Sequence, residues 1–263
     1  MALLTPNFEK DMVYLYQFPR ARCAISLSPY CLKMETWLRM ADIAYENVDN
    51  RFTKLSKKKL APFVEFNGRH LADSEDIIAE LTRFFDVARL QPRNEEQAWQ
   101  TRAITVLLSG SFIWTLLFFR SADIKGNFFT KAGWLDTLPK SLKFLLPIVS
   151  WQFARNGRAK LAAQGYGANT WDETVKICKA DLKALSQFLG KKKFMLGDQV
   201  STLDATCFGA LAQVTNSAID HPCKQYMRDD LPNLVQYVDR IKKQFWPDWD
   251  RDCATLTMSS KWK

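Results

Sequence analysis

Histidine is nearly absent: His70 and His221 are the two in 263 residues. That excludes a histidine-rich metal site, and no metal is expected. Ser-His-Asp catalysis would need one of them beside a nucleophile elbow, which the sequence lacks. Neither a Walker loop nor a G-x-G-x-x-G turn occurs. Glycine and proline number ten each, which removes collagen-like and low-complexity chains. The six cysteines, at 23, 31, 178, 207, 223 and 253, form no C-x-x-C pair, and there is no N-x-S/T acceptor. That pattern predicts a reduced, cytoplasmic chain rather than a disulfide scaffold. Residues 1–10 carry no apolar region of the signal-peptide kind. Long hydrophobic runs are scarce too. Residues 103–119 are uncharged between Arg102 and Arg120, but the run is 17 residues long and is broken by Ser109, Gly110 and Ser111. A membrane span needs about 20. The reading is a helix buried on all sides, with a span or re-entrant anchor as the alternative.

What is present is apolar and basic. Hydrophobic residues make up 47% and aromatics 13%, including nine Trp and eighteen Phe, enough for a large core. Lys and Arg number 37 against 28 Asp and Glu, a net charge of +9, which suits nucleic acid, an anionic membrane or acidic small molecules. The basic residues are scattered. Their densest run, residues 51–59, has five and no acid, and it reads as a solvated loop. Without zinc-finger spacing or a basic helix on heptads, no nucleic-acid partner is expected.

Along the chain, residues 13–18 (VYLYQF) form a β-rich run. Ser28 as N-cap and Pro29 at the first helical position then open a helix whose apolar stripe is Tyr30, Met34, Trp37, Leu38 and Ala41. A short strand follows at 45–48. A second enters through Pro62, turns at Asn67-Gly68 and returns through 70–72. Asp73 and Ser74 lead into another helix. After the linker at 91–94 the patterns are helical: about 95–119, 140–163 with a kink at Pro147, 170–190, 201–218 and 231–245, then a tail.

Four features in this order carry a resemblance: the Ser28-Pro29-Tyr30-Cys31 helix start, Pro62 before a strand, Asp73-Ser74 at a helix cap after a hairpin, and Ser201-x-x-Asp204 at the start of an apolar helix. The set resembles the glutathione S-transferase architecture. That implies an α/β thioredoxin-like domain over 1–90 and an all-α domain over 91–263. The segments AQG at 163–165, DLKALS at 181–186, LGD at 196–198 and TLDA at 202–205 resemble the failed axon connections and cadmium-responsive proteins, which are related to the metaxins. The likeness covers about 13–249.

The resemblance implies roles residue by residue. Ser28 would donate a hydrogen bond to a bound thiolate, lowering the thiol's pKa; it equally reads as an N-cap alone, and Ser26 stays open as the alternative. Cys31, in the first turn, is either a reactive monothiol at a positive dipole end or a buried apolar contact. Pro62 resembles the cis-proline that leaves Ala61 free to pair with a glutathione backbone. Asp73 would meet the γ-glutamyl ammonium and Ser74 its carboxylate, or both are ordinary caps. Lys57, with Lys58 and Lys59, would neutralise the glycine carboxylate. Ser201 and Asp204 read as a structural capping box.

Three functions compete. The first is glutathione transfer to small electrophiles. The second is a catalytically weak or inactive binding or adaptor protein, with a protein partner or a second copy as homodimer. The resemblance ties such members to axon development, cadmium or stress response, or organelle surfaces. The third is peripheral membrane contact through the apolar helix of 103–119 and the basic, aromatic stretch 140–160, with core packing as the competing reading.

Overall fold

Two strand-rich runs separated by one helix build a parallel pair first. The computed structural model describes residues 3–49, 56, 61–123, 127–133, 136, 146–258 and 261–262. β1 (Val13–Gln17) is buried along its whole length, and β2 (Tyr45–Asp49) lies parallel to it. The crossover between them is α1 (Pro29–Ala41), as a parallel connection requires. β3 (Phe63–Phe66) joins the other side of β1 antiparallel, and β4 (Arg69–Ala72) pairs with β3. Asn67 and Gly68 make the turn with φ of 44° and 77°, the left-handed pair that gives a two-residue hairpin its twist. α2 (Ser74–Phe84) follows.

The rest of the described chain is mostly helical. α3 (Glu95–Leu107), a π-helical turn (Leu108–Phe112) and α4 (Ile113–Ala122) run on as one helix. Then come α5 (Asn127–Lys131), α6 (Leu146–Ala163), α7 (Trp171–Leu189), α8 (Thr202–Thr215), α9 (Lys224–Asp229), α10 (Pro232–Phe245) and α11 (Trp249–Thr255). A short β5 (Lys261–Trp262) returns to the sheet, whose order is β4-β3-β1-β2-β5. The architecture is the expected thioredoxin-like sheet followed by helices.

Three details differ from the sequence reading. The tail forms α11 and then β5, so the C-terminal part adds a strand to the sheet. The expected helical stretch 140–145, against which a kink at Pro147 would be measured, lies outside the described residues. The helix 95–122 is long and apolar enough to cross a membrane by length and composition. It is not buried on all sides, however. Ile104, Leu108, Phe112, Leu116 and Phe119 bury one stripe in the core, while Ala103, Val106, Ser109 and Gly110 are exposed. Tyr30, assigned to a core stripe, is 40% exposed.

α1 is the centre of the molecule. Every residue from Cys31 to Ala41 is buried, because the sheet covers one side and α8 the other. The helices approach closely at Gly209, where an added Cβ would lie 2.5 Å from the Pro29 carbonyl and 3.0 Å from the Lys33 nitrogen.

Candidate functional site

The N-terminal end of α1, the start of β3, the start of α2 and the middle of the long α3–α4 helix meet around one cavity of about 410 Å³. α1 contributes Pro29, Tyr30 and Lys33. Ala61 and Pro62 form the wall before β3, joined by a cis peptide. Asp73, Ser74 and Glu75 come from the start of α2, and Arg102, Thr105 and Ser109 from the opposite helix.

Ser28 caps α1 locally. Its backbone is extended (φ −95°, ψ 121°), and its Oγ accepts from the Cys31 amide at 3.3 Å. The Ser28 amide in turn donates to Ser26 Oγ at 3.2 Å. Ser28 is half-buried and lies one residue outside the cavity lining, while Ser26 is fully buried. Cys31 is fully buried as well. Burial pushes its thiol up to about 11, against the lowering effect of hydrogen bonds from Ser28 and Ser26. At neutral pH it is a packed thiol, not a thiolate.

The second cluster is polar. Asp73 holds φ 82° and ψ 124°, an uncommon conformation for a residue with a side chain, and its Oδ1 accepts from the Glu75 amide at 3.0 Å. Ser74 begins the helix, with its hydroxyl 3.5 Å from Lys33 Nζ. Lys33 also pairs with Glu75 and is itself buried. The cavity therefore carries cations, Lys33 and Arg102, beside anions, Asp73 and Glu75. Lys57, with Lys58 and Lys59, lies outside the described residues.

Ser201 and Asp204 are elsewhere, buried at the start of α8. Asp204 accepts from the Ser201 amide at 2.8 Å and the Ser201 hydroxyl at 2.7 Å. Its other oxygen takes the Met195 amide at 2.8 Å and the Tyr237 hydroxyl at 2.9 Å. Burial pushes its pKa up.

The structure thus brings Ala61, Pro62, Asp73 and Ser74 into one cavity, with Ser28 at its edge and Ser26 and Cys31 beneath. Sequence reasoning missed Lys33, Glu75 and the opposite wall. A signal existed for that wall: Arg102, Thr105 and Ser109 recur at i, i+3 and i+7, one helical face. The π turn containing Ser109 is a feature frequent at functional sites. Lys33 gave no signal, because a lysine between apolar helix positions looks solvated. Among the described residues no group of three or more His, Cys, Asp or Glu is placed to hold a metal ion.

Known proteins resemble this chain in both halves. A glutathione S-transferase N-terminal domain model matches residues 29–126, and a glutathione S-transferase C-terminal domain model matches residues 178–241. Failed axon connections of Drosophila melanogaster is 38% identical over 262 residues, 97% of this chain; the chain spans 63% of that relative's length. An isoprene-epoxide–glutathione S-transferase of Rhodococcus is 26% identical over 243 residues, 89% of this chain and 99% of that enzyme. Metaxin-2 of Mus musculus is 28% identical over 109 residues, 40% of each chain. Among solved structures, the β-etherase LigF of Sphingobium has a TM-score of 0.59 at 18% identity, covering 93% of this chain and 99% of its own. A glutathione S-transferase of Ceriporiopsis subvermispora, solved with glutathione, has a TM-score of 0.58 at 17% identity, covering 90% and 99%. These structures share the fold.

Proposed function

This chain belongs to the metaxin-related, glutathione S-transferase-like family of failed axon connections, and we propose that its cavity binds glutathione as ligand or co-substrate. The observation that carries the reading is the convergence of Ala61, Asp73, Ser74 and Lys33 on one cavity. Glutathione is an extended peptide with two carboxylates and one ammonium. The backbone of Ala61 would pair with its main chain. Ser74, at a helix start, and the ammonium of Lys33 would receive the γ-glutamyl carboxylate, and Asp73 would take the ammonium.

Conjugation to small electrophiles is the activity this binding would serve, with Ser28 directing its hydroxyl proton at the thiolate. A hydrogen bond of that kind stabilises a charged acceptor by about 1.5–3 kcal/mol, or roughly one to two pKa units. One observation favours the weaker reading, a binding or adaptor protein. Ser28 lies outside the lining of the cavity, and Cys31 is too buried to replace it. The six free cysteines suit a reducing location, either the cytoplasm or an organelle surface facing it.

Calorimetric titration with glutathione tests the site. Wild type is expected to bind with weak to moderate affinity, and Ser74→Ala to bind at least tenfold more weakly. Absence of binding by the folded wild type would sink the reading. Conjugation of a generic aryl halide by wild type and Ser28→Ala then separates the two functions. Turnover lost in the variant assigns Ser28, and binding without turnover leaves the adaptor.

A further inference from the structure

α6 (Leu146–Ala163) is seated by a narrow stripe. Ser150, Ala154, Gly157 and Leu161 are its buried residues, at i, i+4, i+7 and i+11, and they pack on α4. Three of the four are small. At Gly157 an added Cβ would lie 2.0 Å from Ser121 Oγ, so the α6 backbone rests directly against the Ser121 side chain. A stripe this narrow hides little of the helix and leaves the remaining face outside.

That outer face is unusual for water. Ile148 is 61% exposed, and Val149 and Trp151 are 47% exposed each. They are crowded into four residues, beside exposed Pro147. Clustered exposed apolar side chains mark an interaction surface, where single ones do not. The charge on the same helix has one sign. Its sequence, LPIVSWQFARNGRAKLAA, contains Arg155, Arg158 and Lys160 and no acid, and all three basic residues are exposed. The Arg155 guanidinium lies 5.4 Å from the centre of the Trp151 ring. An indole with a cation beside it presents an apolar body and a charged tip on one patch.

We propose that the outer face of α6 is a docking surface for an anionic lipid bilayer. The helix lies in the plane of the membrane, with Ile148, Val149 and Trp151 entering the boundary between headgroups and acyl chains, while Arg155, Arg158 and Lys160 meet the anionic headgroups. The chemistry favours lipid over protein. A bilayer needs no pocket or matched shape, only apolar side chains of modest depth ringed by positive charge. The whole chain's net charge of +9 draws it to the same surface. The surface is distinct from the glutathione cavity, and the inference does not depend on that reading.

Sedimentation of the full chain with vesicles tests it. One set is phosphatidylcholine alone, and the other contains about 30 mol % phosphatidylserine, the composition range that gives an appreciable negative surface potential. Binding is expected to the anionic vesicles and not to the neutral ones, and to fall on raising the salt. The double variants Ile148→Ser with Trp151→Ser, and Arg155→Glu with Arg158→Glu, are each expected to weaken it at least tenfold while melting as wild type does. No binding by wild type, or binding unchanged in either double variant, overturns the proposal. If the serine variant instead converts a dimer to a monomer on gel filtration with vesicle binding intact, the face joins two copies of the chain and the lipid assignment is wrong.

Discussion

His221 is held where a charge is costly. It is buried, its Nδ1 accepts from the Cys223 amide at 3.2 Å, and its ring stands edge-on to Phe119 at 5.0 Å. Among the described residues its Nε2 has no hydrogen-bond partner. Burial first, then the nearby charges of Arg120 and Lys224, bring its pKa down to about 3. In the unfolded chain the same imidazole titrates near 6.5, so between those values the unfolded state binds the extra proton. The stability this histidine contributes is therefore complete above about pH 6.5 and drains away as pH falls towards 3. Thermal melts are expected to drop by several degrees between pH 7 and pH 5. His221→Phe, which keeps the ring packing, should flatten that slope; an equally steep slope in the variant would assign the loss to another group. Glu35 acts lower. Burial opposes its charge, but Arg20 at 2.5 Å overrides burial and lowers its pKa to about 2, so its contribution is lost only between about pH 4.5 and pH 2.

At the scale of elements, α1 marks where the sequence was legible and where it was not. Its start was readable because a serine side chain caps a helix N-terminus and proline fits its first turn. The hairpin was readable because Asn67 and Gly68 tolerate the positive φ that its turn requires. Lys33, Glu35, Thr36 and Arg39 lie off the apolar stripe, yet all are buried. Helical periodicity reveals one apolar stripe and says nothing of polar side chains that find partners across a second packed face. Those partners are distant in sequence: Arg20 for Glu35, the Trp246 indole for Thr36, and Asp248 for Arg39. Half of the cavity was legible by analogy of motif order; the wall across from it belongs to a helix whose apolar content drew attention to burial instead. The tight seat on α8 gives a test. Gly209→Ala forces α1 away at Pro29 and Lys33, which both line the cavity. Overpacking of this kind costs about 1–3 kcal/mol, so the melting temperature and glutathione affinity should fall together; a variant with both unchanged would contradict the close approach. Asp204→Ala is expected to act differently. It strips the Ser201 and Met195 amides and the Tyr237 hydroxyl of their acceptor and costs about 2 kcal/mol or more, leaving glutathione affinity per folded molecule as it was.

The whole molecule is fastened by contacts between the beginning and the end of the chain. Arg39 lies between two indoles, 3.7 Å from the Trp246 ring centre and 4.2 Å from that of Trp262. It forks onto Asp248 at 2.5 and 2.8 Å and donates to the Tyr45 hydroxyl at 2.7 Å. Trp37 donates across the same boundary to Thr202 at 3.1 Å. A sequence that changes character near residue 91 suggests two bodies that fold apart, and the packing argues for one cooperative unit. Residues 1–90 expressed alone would turn the α8-facing side of α1 out to water and leave the Arg39 guanidinium without Asp248 or either indole. Each large apolar side chain left in water there forfeits about 1.5–3 kcal/mol of burial, a large share of a typical domain's 5–15 kcal/mol. The fragment is expected to show helical far-ultraviolet dichroism at most, without near-ultraviolet signal or a cooperative melt, whereas the full chain should melt in a single transition seen alike by both probes. A cooperative melt from the fragment, or two separated transitions in the full chain, would show instead that the sheet carries its own stability and that the Arg39 clamp joins two independent domains.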